Sequence, residues 1–122
     1  MNLTEFIQAM FKLQIIVKMN HWGTDKYHRH KIMNKFHEKL QDITDKIVET
    51  YQGRNGKIDL NRIKNLTMMV PMVGDDGMIT VVQEVIDMVE SKIYPKVEKE
   101  TVALMDELLA ILQQTKYLLS LQ

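Results

Sequence analysis

Apolar residues recur at intervals of three and four along this chain, and that spacing restricts its fold more than any other feature. The first segment, residues 3–20, contains Leu3, Phe6, Met10, Leu13 and Val17. Because an α-helix completes a turn about every 3.6 residues, side chains at these intervals lie on one face. The spacing predicts helix A over residues 3–20.

Three further segments repeat the pattern and predict helix B over about residues 26–52, helix C up to a break at Tyr94-Pro95, and helix D over about residues 96–120. The main apolar positions are Met33, Phe36, Leu40, Ile43, Ile47 and Tyr51 in helix B, Met78, Val82, Val85, Ile86, Val89 and Ile93 in helix C, and Leu104, Leu108, Leu112 and Leu119 in helix D. Each helix therefore has one face suited to a shared core.

Breaks rich in glycine and capping residues separate the predicted helices at residues 22–25, 53–56 and 74–77. In the last break, Asp75 or Asp76 is the predicted N-cap of helix C. The connection over residues 57–74 contains one short predicted helix, which Asp59 caps and which ends near Pro71.

A connection of that length allows helix C to run parallel to helix B. No segment alternates apolar and polar residues over a two-residue period, and no glycine-rich phosphate loop is present. We therefore expect an all-α four-helix bundle with one long crossover connection. Its 122 residues fit a single domain, residues 1–122.

Charge and composition exclude several functions. The 16 basic and 16 acidic side chains cancel, so no overall field attracts nucleic acid or an anionic membrane, and we expect neither partner. The absence of cysteine excludes disulfides, thiolate metal sites and cysteine nucleophiles. The amino terminus places Glu5 and Lys12 in an amphipathic pattern and has no leader character, and no apolar run is long enough to cross a bilayer. We expect a soluble, cytoplasmic protein.

All 4 histidines lie between residues 21 and 37, and the single tryptophan, Trp22, lies beside the first. The histidines are His21, His28, His30 and His37, and the acidic residues Asp42, Asp45 and Glu49 follow on the same predicted helix. Imidazole nitrogens and carboxylate oxygens together suit a divalent first-row metal such as iron or zinc. This stretch is the candidate site.

The helical period places the acidic residues away from the bundle core. Asp45 lies nearly opposite the stripe of Phe36 and Leu40, Glu49 and Asp42 share its face, and His30 lies within a quadrant of it. The chain also lacks the Glu-x-x-His pairs that hold metals inside bundles. A metal site inside the bundle is therefore not expected, and outward acidic residues of this kind are typical of an ordinary solvated helix face.

Each residue also has a structural interpretation. His21 could cap the end of helix A, where a cation is favourable. His28 and His37 could be surface residues, and Trp22 could be an interface or core anchor. The 10 methionines are expected to fill the core as soft, adaptable side chains.

The stretch Met19-Asn20-His21-Trp22, a histidine fifteen residues before Asp45, and the pair Asp45 and Glu49 at a spacing of four resemble the Dps family of mini-ferritins. The resemblance implies a ferritin-like fold and an iron site between two-fold related subunits. It implies His21 and His30 as ligands from one subunit, Asp45 and Glu49 from the other, and Trp22 close to the iron. His37, which begins a family-like His-Glu run, and Asp42 are alternative ligands.

The same resemblance implies a ferroxidase that oxidises Fe(II) with peroxide or oxygen in a homo-oligomer, which is at least a two-fold dimer and could be a dodecamer-like shell. Since the chain lacks a lysine-rich tail, DNA binding is not expected. One alternative is a ferritin-like bundle without catalysis that acts as an oligomerising or partner-binding module. A structural site for zinc or another divalent metal is a further alternative.

Overall fold

A computed structural model describes residues 3–64 and 69–121, and every regular element within those ranges is helical. The α-helices are α1 (Leu3–Gly23), α2 (Tyr27–Asn55), α3 (Leu60–Lys64), α4 (Met78–Met88) and α5 (Lys99–Ser120). None of the helices in these ranges has both the length and the apolar character that crossing a membrane requires. The expected all-α helical bundle agrees with this architecture.

The order of the helices follows from the contacts at the two ends of the bundle. α1 packs on α2, α2 on α5, and α5 on α4, while α1 also touches α4. Asp75, just before α4, contacts Asn20 and Thr24 near the end of α1. α4 therefore begins at the end of the bundle where α2 begins.

The described part of the crossover connection contains a short helix. α3 has 5 residues, Leu60–Lys64, and the rest of the predicted segment includes residues 65–68, which lie outside the described part of the chain. The Asp59 carboxylate accepts a hydrogen bond from the Asn61 amide at 3.0 Å, so Asp59 caps α3 as predicted.

The core consists of the predicted apolar stripes. The two fully buried aromatic residues are Phe6 and Phe36, and Met10, Met33, Met78 and Met105 are fully buried around them. These four methionines fill the core as expected, because their flexible side chains adapt to irregular space. Met69 and Met72, in contrast, are exposed on the crossover connection.

Two glycines expected in breaks lie inside helices. Gly23 is the last residue of α1, and Gly53 lies inside α2. α2 ends at Asn55 and is followed by Gly56, whose φ of +82° a residue with a side chain would adopt at a cost. The longer α2 brings Arg54 and Asn55 to Glu98 at the start of α5, a contact that supports the additional turn.

α4 continues into a π-helical turn, Val89–Ile93, and a 3₁₀ turn, Tyr94–Lys96. Val89 and Ile93 remain buried, so the predicted apolar stripe extends through the π-helical turn. Pro95 has no amide hydrogen to continue the helix, which accounts for the predicted break at this point. α5 then begins at Lys99, three residues later than predicted.

Candidate functional site

The turn between α1 and α2 brings His21 and His30 into contact. Their rings are stacked, with centroids 3.9 Å apart and planes inclined by 22°. His21 is on the last turn of α1 and is buried, whereas His30, on the first turn of α2, is exposed. The short connection therefore pairs the two histidines that the sequence proposed as ligands from one subunit.

Reciprocal hydrogen bonds hold this histidine pair. The Nδ1 atom of His21 donates to the carbonyl oxygen of His30 at 2.9 Å, and Nδ1 of His30 donates to the carbonyl oxygen of His21 at 2.8 Å. Because a carbonyl oxygen only accepts, each Nδ1 carries hydrogen, and the lone pair of each neutral ring is on Nε2. Histidines that bind metals use this same arrangement to fix ring orientation and tautomer.

The stacked rings do not aim at a common point. An ion bound by Nε2 lies in the plane of the imidazole ring, about 2.1 Å from the nitrogen. Planes inclined by 22° at a centroid separation of 3.9 Å meet on the order of 10 Å away, well beyond that bond length. In this arrangement each ring can offer a lone pair, but the two cannot share one ion.

The acidic residues of α2 point away from the bundle, as predicted. Asp42, Asp45 and Glu49 are exposed. Asp45 lies fifteen residues along α2 from His30, about 22 Å at a rise of about 1.5 Å per residue. Within residues 3–64 and 69–121, no three histidine, aspartate or glutamate side chains are close enough to hold an ion. A single chain therefore does not unite the histidine pair with the carboxylates.

Three further side chains, those of His37, Lys18 and Trp22, lie near the histidine pair. His37 is half-buried, and its burial, the Lys18 ammonium and the His21 ring hold the pKa of His37 below its ordinary value. Lys18 Nζ lies 5.7 Å from the centre of the Trp22 ring, a cation–π distance. Trp22 is 71% exposed, so in the single chain it anchors no core. His28 is exposed, as its surface interpretation predicted.

The sequence did not predict a polar cluster that lies beside the histidine pair. The Asp75 carboxylate accepts hydrogen bonds from Asn20 Nδ2 at 2.8 Å and Thr24 Oγ1 at 2.9 Å. The buried Arg29 donates to the carbonyl oxygens of Asp75 and Leu119, at 3.2 and 3.4 Å. This Asp75 cluster joins the ends of α1 and α5 to the beginnings of α2 and α4.

The prediction that Asp75 or Asp76 caps α4 is therefore wrong. Neither side chain makes a capping hydrogen bond, because the Asp75 carboxylate turns toward α1. Burial alone would raise the pKa of Asp75, but the hydrogen bonds from Asn20 and Thr24 and the charge of Arg29 outweigh it and hold the pKa below its ordinary value. The sequence contains one indication of this cluster. Arg29 precedes Met33 by four residues and therefore lies on the buried stripe of α2, where an arginine needs polar partners.

Comparison with known proteins places this surface within a family. The family model described as a family of unknown function, DUF5856, matches residues 21–119. The chain belongs to this family. The match to DUF5856 begins at His21 and ends at Leu119, so it includes the histidine pair, the acidic face of α2 and most of the Asp75 cluster.

A phage protein resembles nearly the whole chain. It is the uncharacterized 14.6 kDa protein in the mobD-ri intergenic region of Enterobacteria phage T4, 25% identical over 118 residues, which are 97% of this chain and 88% of the phage protein. No solved structure matches the chain.

Proposed function

We propose that this DUF5856 protein is a ferritin-like, Dps-like protein that binds Fe(II) between two copies of the chain and oxidises it. The observation that carries the proposal is the separation of the two donor sets on one surface. His21 and His30 lie where α1 ends and α2 begins, and Asp45 and Glu49 lie exposed about 22 Å further along α2. We call the outer side of these two helices the α1–α2 surface. The proposal includes the cytoplasmic location expected from the sequence.

Two-fold symmetry brings such separated sets together. In an isologous dimer, each surface patch meets the same patch of the partner in the opposite direction. The histidine end of one chain then faces the acidic end of the other, and the dimer contains two equivalent sites. Lys18, whose Nζ lies 5.7 Å from the centre of the Trp22 ring, adds positive charge at the histidine end, so the two ends are complementary in charge.

Exposed apolar side chains on the same surface support a partner there. Phe11 and Ile15 on α1 are 40% and 41% exposed, and Trp22 follows Ile15 by two helical turns. Spacings of four and seven residues place these three side chains on one stripe of α1. Burying such a stripe favours association through the hydrophobic effect.

The donor set fits iron. Imidazole retains Fe(II), while carboxylate oxygens favour the harder Fe(III) product. His37 and Asp42 are the alternative ligands, and the dimer would cover Trp22 close to the ion. Peroxide or oxygen from solution accepts the electrons. Zinc or another divalent ion could use the same donors without redox chemistry, and a zinc-loaded protein that leaves Fe(II) unoxidised would indicate that structural role.

Ferrous oxidation tests the proposal directly. Metal-free protein is mixed with Fe(II) under anaerobic conditions and peroxide is then added. We expect saturable oxidation in proportion to the number of chains, and its loss in the double variant Asp45→Asn with Glu49→Gln. The matched control is Glu84→Gln with Glu90→Gln, two exposed acidic residues at α4 and its π-helical extension, which should retain the activity. Oxidation at the rate of free Fe(II) in every variant would overturn the proposal.

The molecular mass in solution is an independent test. A two-fold dimer is the smallest assembly that completes the proposed site, and a closed shell of twelve chains is a larger assembly that would also complete it. Light scattering coupled to size-exclusion chromatography distinguishes these states from a single chain. A strict monomer at high protein concentration would contradict the proposed site.

The stacking of His21 and His30 favours a second function. Both Nδ1 atoms are used to join α1 to α2, and the rings share no coordination point. On this basis the protein would be a non-catalytic ferritin-like bundle that assembles through the α1–α2 surface without metal. A stable dimer that binds neither Fe(II) nor Zn(II) in calorimetric titration would support this second function over the first.

A further inference from the structure

We propose that two copies of the chain recognise each other through opposite charges on the outer face of α2, with the two helices antiparallel. Six exposed charged side chains on this helix form two blocks, a basic block of Lys31, Lys35 and Lys39 and an acidic block of Asp42, Asp45 and Glu49. The inference rests on the two-fold dimer of the proposed function, but it requires no ion.

The charges along α2 are separated rather than mixed. Glu38 is the only acidic residue in the sequence from Lys31 to Lys39, and Lys46 is the only basic residue from Asp42 to Glu49. Lys46 Nζ lies 4.0 Å from the Glu107 carboxylate of α5, so this lysine turns toward its own chain. The zero net charge of the protein therefore conceals a helix whose two halves have opposite charge.

This order of charges does not stabilise α2 in a single chain. Lys31, Lys35 and Lys39 follow one another at intervals of four residues, and Asp45 and Glu49 have the same spacing. Side chains four residues apart are neighbours on a helix, and like charges at this spacing repel each other. In the part of the chain that the structure describes, Lys35, Asp45 and Glu49 form no ion pair. A block of opposite charge placed against each block would offset the repulsion.

The two blocks fit each other in one antiparallel register. At a rise of about 1.5 Å per residue, the basic block is about 12 Å long and the acidic block about 10 Å. Lys31 and Glu49 are each 9 residues from Leu40, and Lys35 and Asp45 are each 5 residues from it. A two-fold axis at the level of Leu40 therefore places Lys31 at the level of the partner's Glu49, and Lys35 at the level of the partner's Asp45. An isologous contact repeats each of these pairings twice.

The same blocks disfavour a parallel pair of helices. In that orientation each block faces its own kind, and charges beside a helix–helix contact are known to set its direction. The antiparallel register contains one like-charged pairing, Glu38 with the partner's Asp42, each 2 residues from Leu40. Counted over the dimer, four pairings of opposite charge outnumber the two of like charge. Because salt screens exposed charges, we expect the association to weaken as the salt concentration rises.

Charge reversal tests the register. The basic-block variant is Lys31→Glu with Lys35→Glu, and the acidic-block variant is Asp45→Lys with Glu49→Lys. Either variant alone places like charges against each other, so the dissociation constant measured by sedimentation equilibrium should rise at least about tenfold. An equimolar mixture of the two variants should form a heterodimer, detected by native mass spectrometry, because all four pairings then have opposite charges again.

A combined variant controls for net charge. It carries all four reversals in one chain and keeps the net charge at zero, so it should pair with itself as the unmodified chain does. It should not pair with the unmodified chain, because like blocks would then meet. The matched control for the basic-block variant is Lys57→Glu with Lys99→Glu, two exposed lysines outside α2, which should leave the association unchanged. Circular dichroism checks that every variant folds.

The outcomes separate the inference from the proposed function. A dimer that neither the reversals nor salt affects, or a mixture that forms no heterodimer, overturns the inference, and Fe(II) oxidation by such a dimer leaves the proposed function standing. A heterodimer restored by mixing supports the inference even where the unmodified chain leaves Fe(II) unoxidised, a result that would contradict the iron site alone. A monomer under all conditions overturns both.

Discussion

Arg29 near the start of α2 donates a hydrogen bond to the carbonyl oxygen of Leu119 near the end of α5, 90 residues away in the sequence. The carbonyl is one of those that the end of a helix leaves without a partner in the helix, and a cation there also interacts favourably with the helix dipole. Through Asp75, the same guanidinium is connected to the end of α1. The Asp75 cluster therefore joins parts of the chain that no short segment could hold together.

Removing the Asp75 carboxylate should destabilise the protein. In Asp75→Ala, Asn20 and Thr24 lose the acceptor of their hydrogen bonds and Arg29 loses a nearby negative charge. Buried or partly buried donors without partners cost about 1–3 kcal/mol, and we expect a loss of that size in the free energy of unfolding, measured with urea. Asp76→Ala, on the exposed neighbouring residue, should have little effect, and equal losses in both variants would contradict the role of Asp75.

The stability of the protein should depend on pH through Asp75. Because its folded-state pKa lies below the ordinary value of 3.8, the unfolded chain binds more protons than the folded chain in acid. The contribution of Asp75 is therefore fully present above that ordinary value and is lost as the pH falls through the folded-state pKa. Unfolding free energies measured across the acid range should fall less steeply in Asp75→Asn than in the unmodified chain. Parallel curves would contradict this contribution.

Thr101→Val should stabilise the protein. Thr101 is only 1% exposed, and its hydroxyl oxygen has no hydrogen-bond partner within the described residues. Replacing an unsatisfied buried hydroxyl with a methyl group removes a desolvation cost, and we expect a gain of about 1 kcal/mol in urea unfolding. The control is Thr44→Val, which should lose stability because Thr44 donates to the Leu40 carbonyl oxygen at 2.6 Å. The same sign of change in both variants would show that the hydrogen bond does not decide the effect.

The surface ion pair at the other end of α2 should contribute far less to the free energy of unfolding than the Asp75 cluster does. Arg54 Nη1 lies 2.9 Å from Glu100 and its Nε lies 3.5 Å from Glu98, but about half of the Arg54 side chain is exposed, at 54%. Exposed pairs contribute about 0–1 kcal/mol and are screened by salt. Arg54→Gln should therefore reduce the free energy of unfolding only slightly, with a smaller reduction at high salt. A larger effect that salt leaves unchanged would show that packing of the arginine stem matters more than its charge.

Assembly should bury Trp22. It is the single tryptophan of the chain and 71% exposed, so its fluorescence reports on one position. If chains associate through the α1–α2 surface, emission should move to shorter wavelength and acrylamide should quench it less as the protein concentration rises. Association observed by light scattering with unchanged Trp22 emission would place the interface elsewhere. Tyr117, 62% exposed on α5, offers a second position for a tryptophan probe.

Local patterns predicted the features that depend on neighbours along the chain. Leu40, Ile43 and Ile47 are buried and Asp45 and Glu49 are exposed, as the helical period required. This success has a simple cause, since the period fixes which side chains share a face once a segment is helical. The prediction that the acidic residues point away from the core is confirmed for that reason, while their metal-binding role stays a prediction.

Local patterns could not predict the features that depend on residues far apart in the sequence. Asp75 resembles an N-cap locally, but its partners Asn20 and Thr24 are more than fifty residues earlier in the sequence. The resemblance paired His21 with His30, yet the stacking of their rings depends on the geometry of the turn at Thr24. Gly53 has the local character of a helix end, and α2 nevertheless continues past it to contact α5.

Hydrogen bonds hold the crossover connection at each of its two ends. Upstream, the Ile58 amide donates to the Gln52 side chain at 3.1 Å, and downstream the Asp75 cluster holds the beginning of α4. The bundle is thus two helical hairpins, α1–α2 and α4–α5, joined covalently by one crossover connection, from which Ile58, Ile63, Val70 and Val73 pack against the core. A nick beside the exposed Met72 would leave both hairpins with their packing surfaces complete, so the two halves could be produced as separate polypeptides and reassemble by complementation.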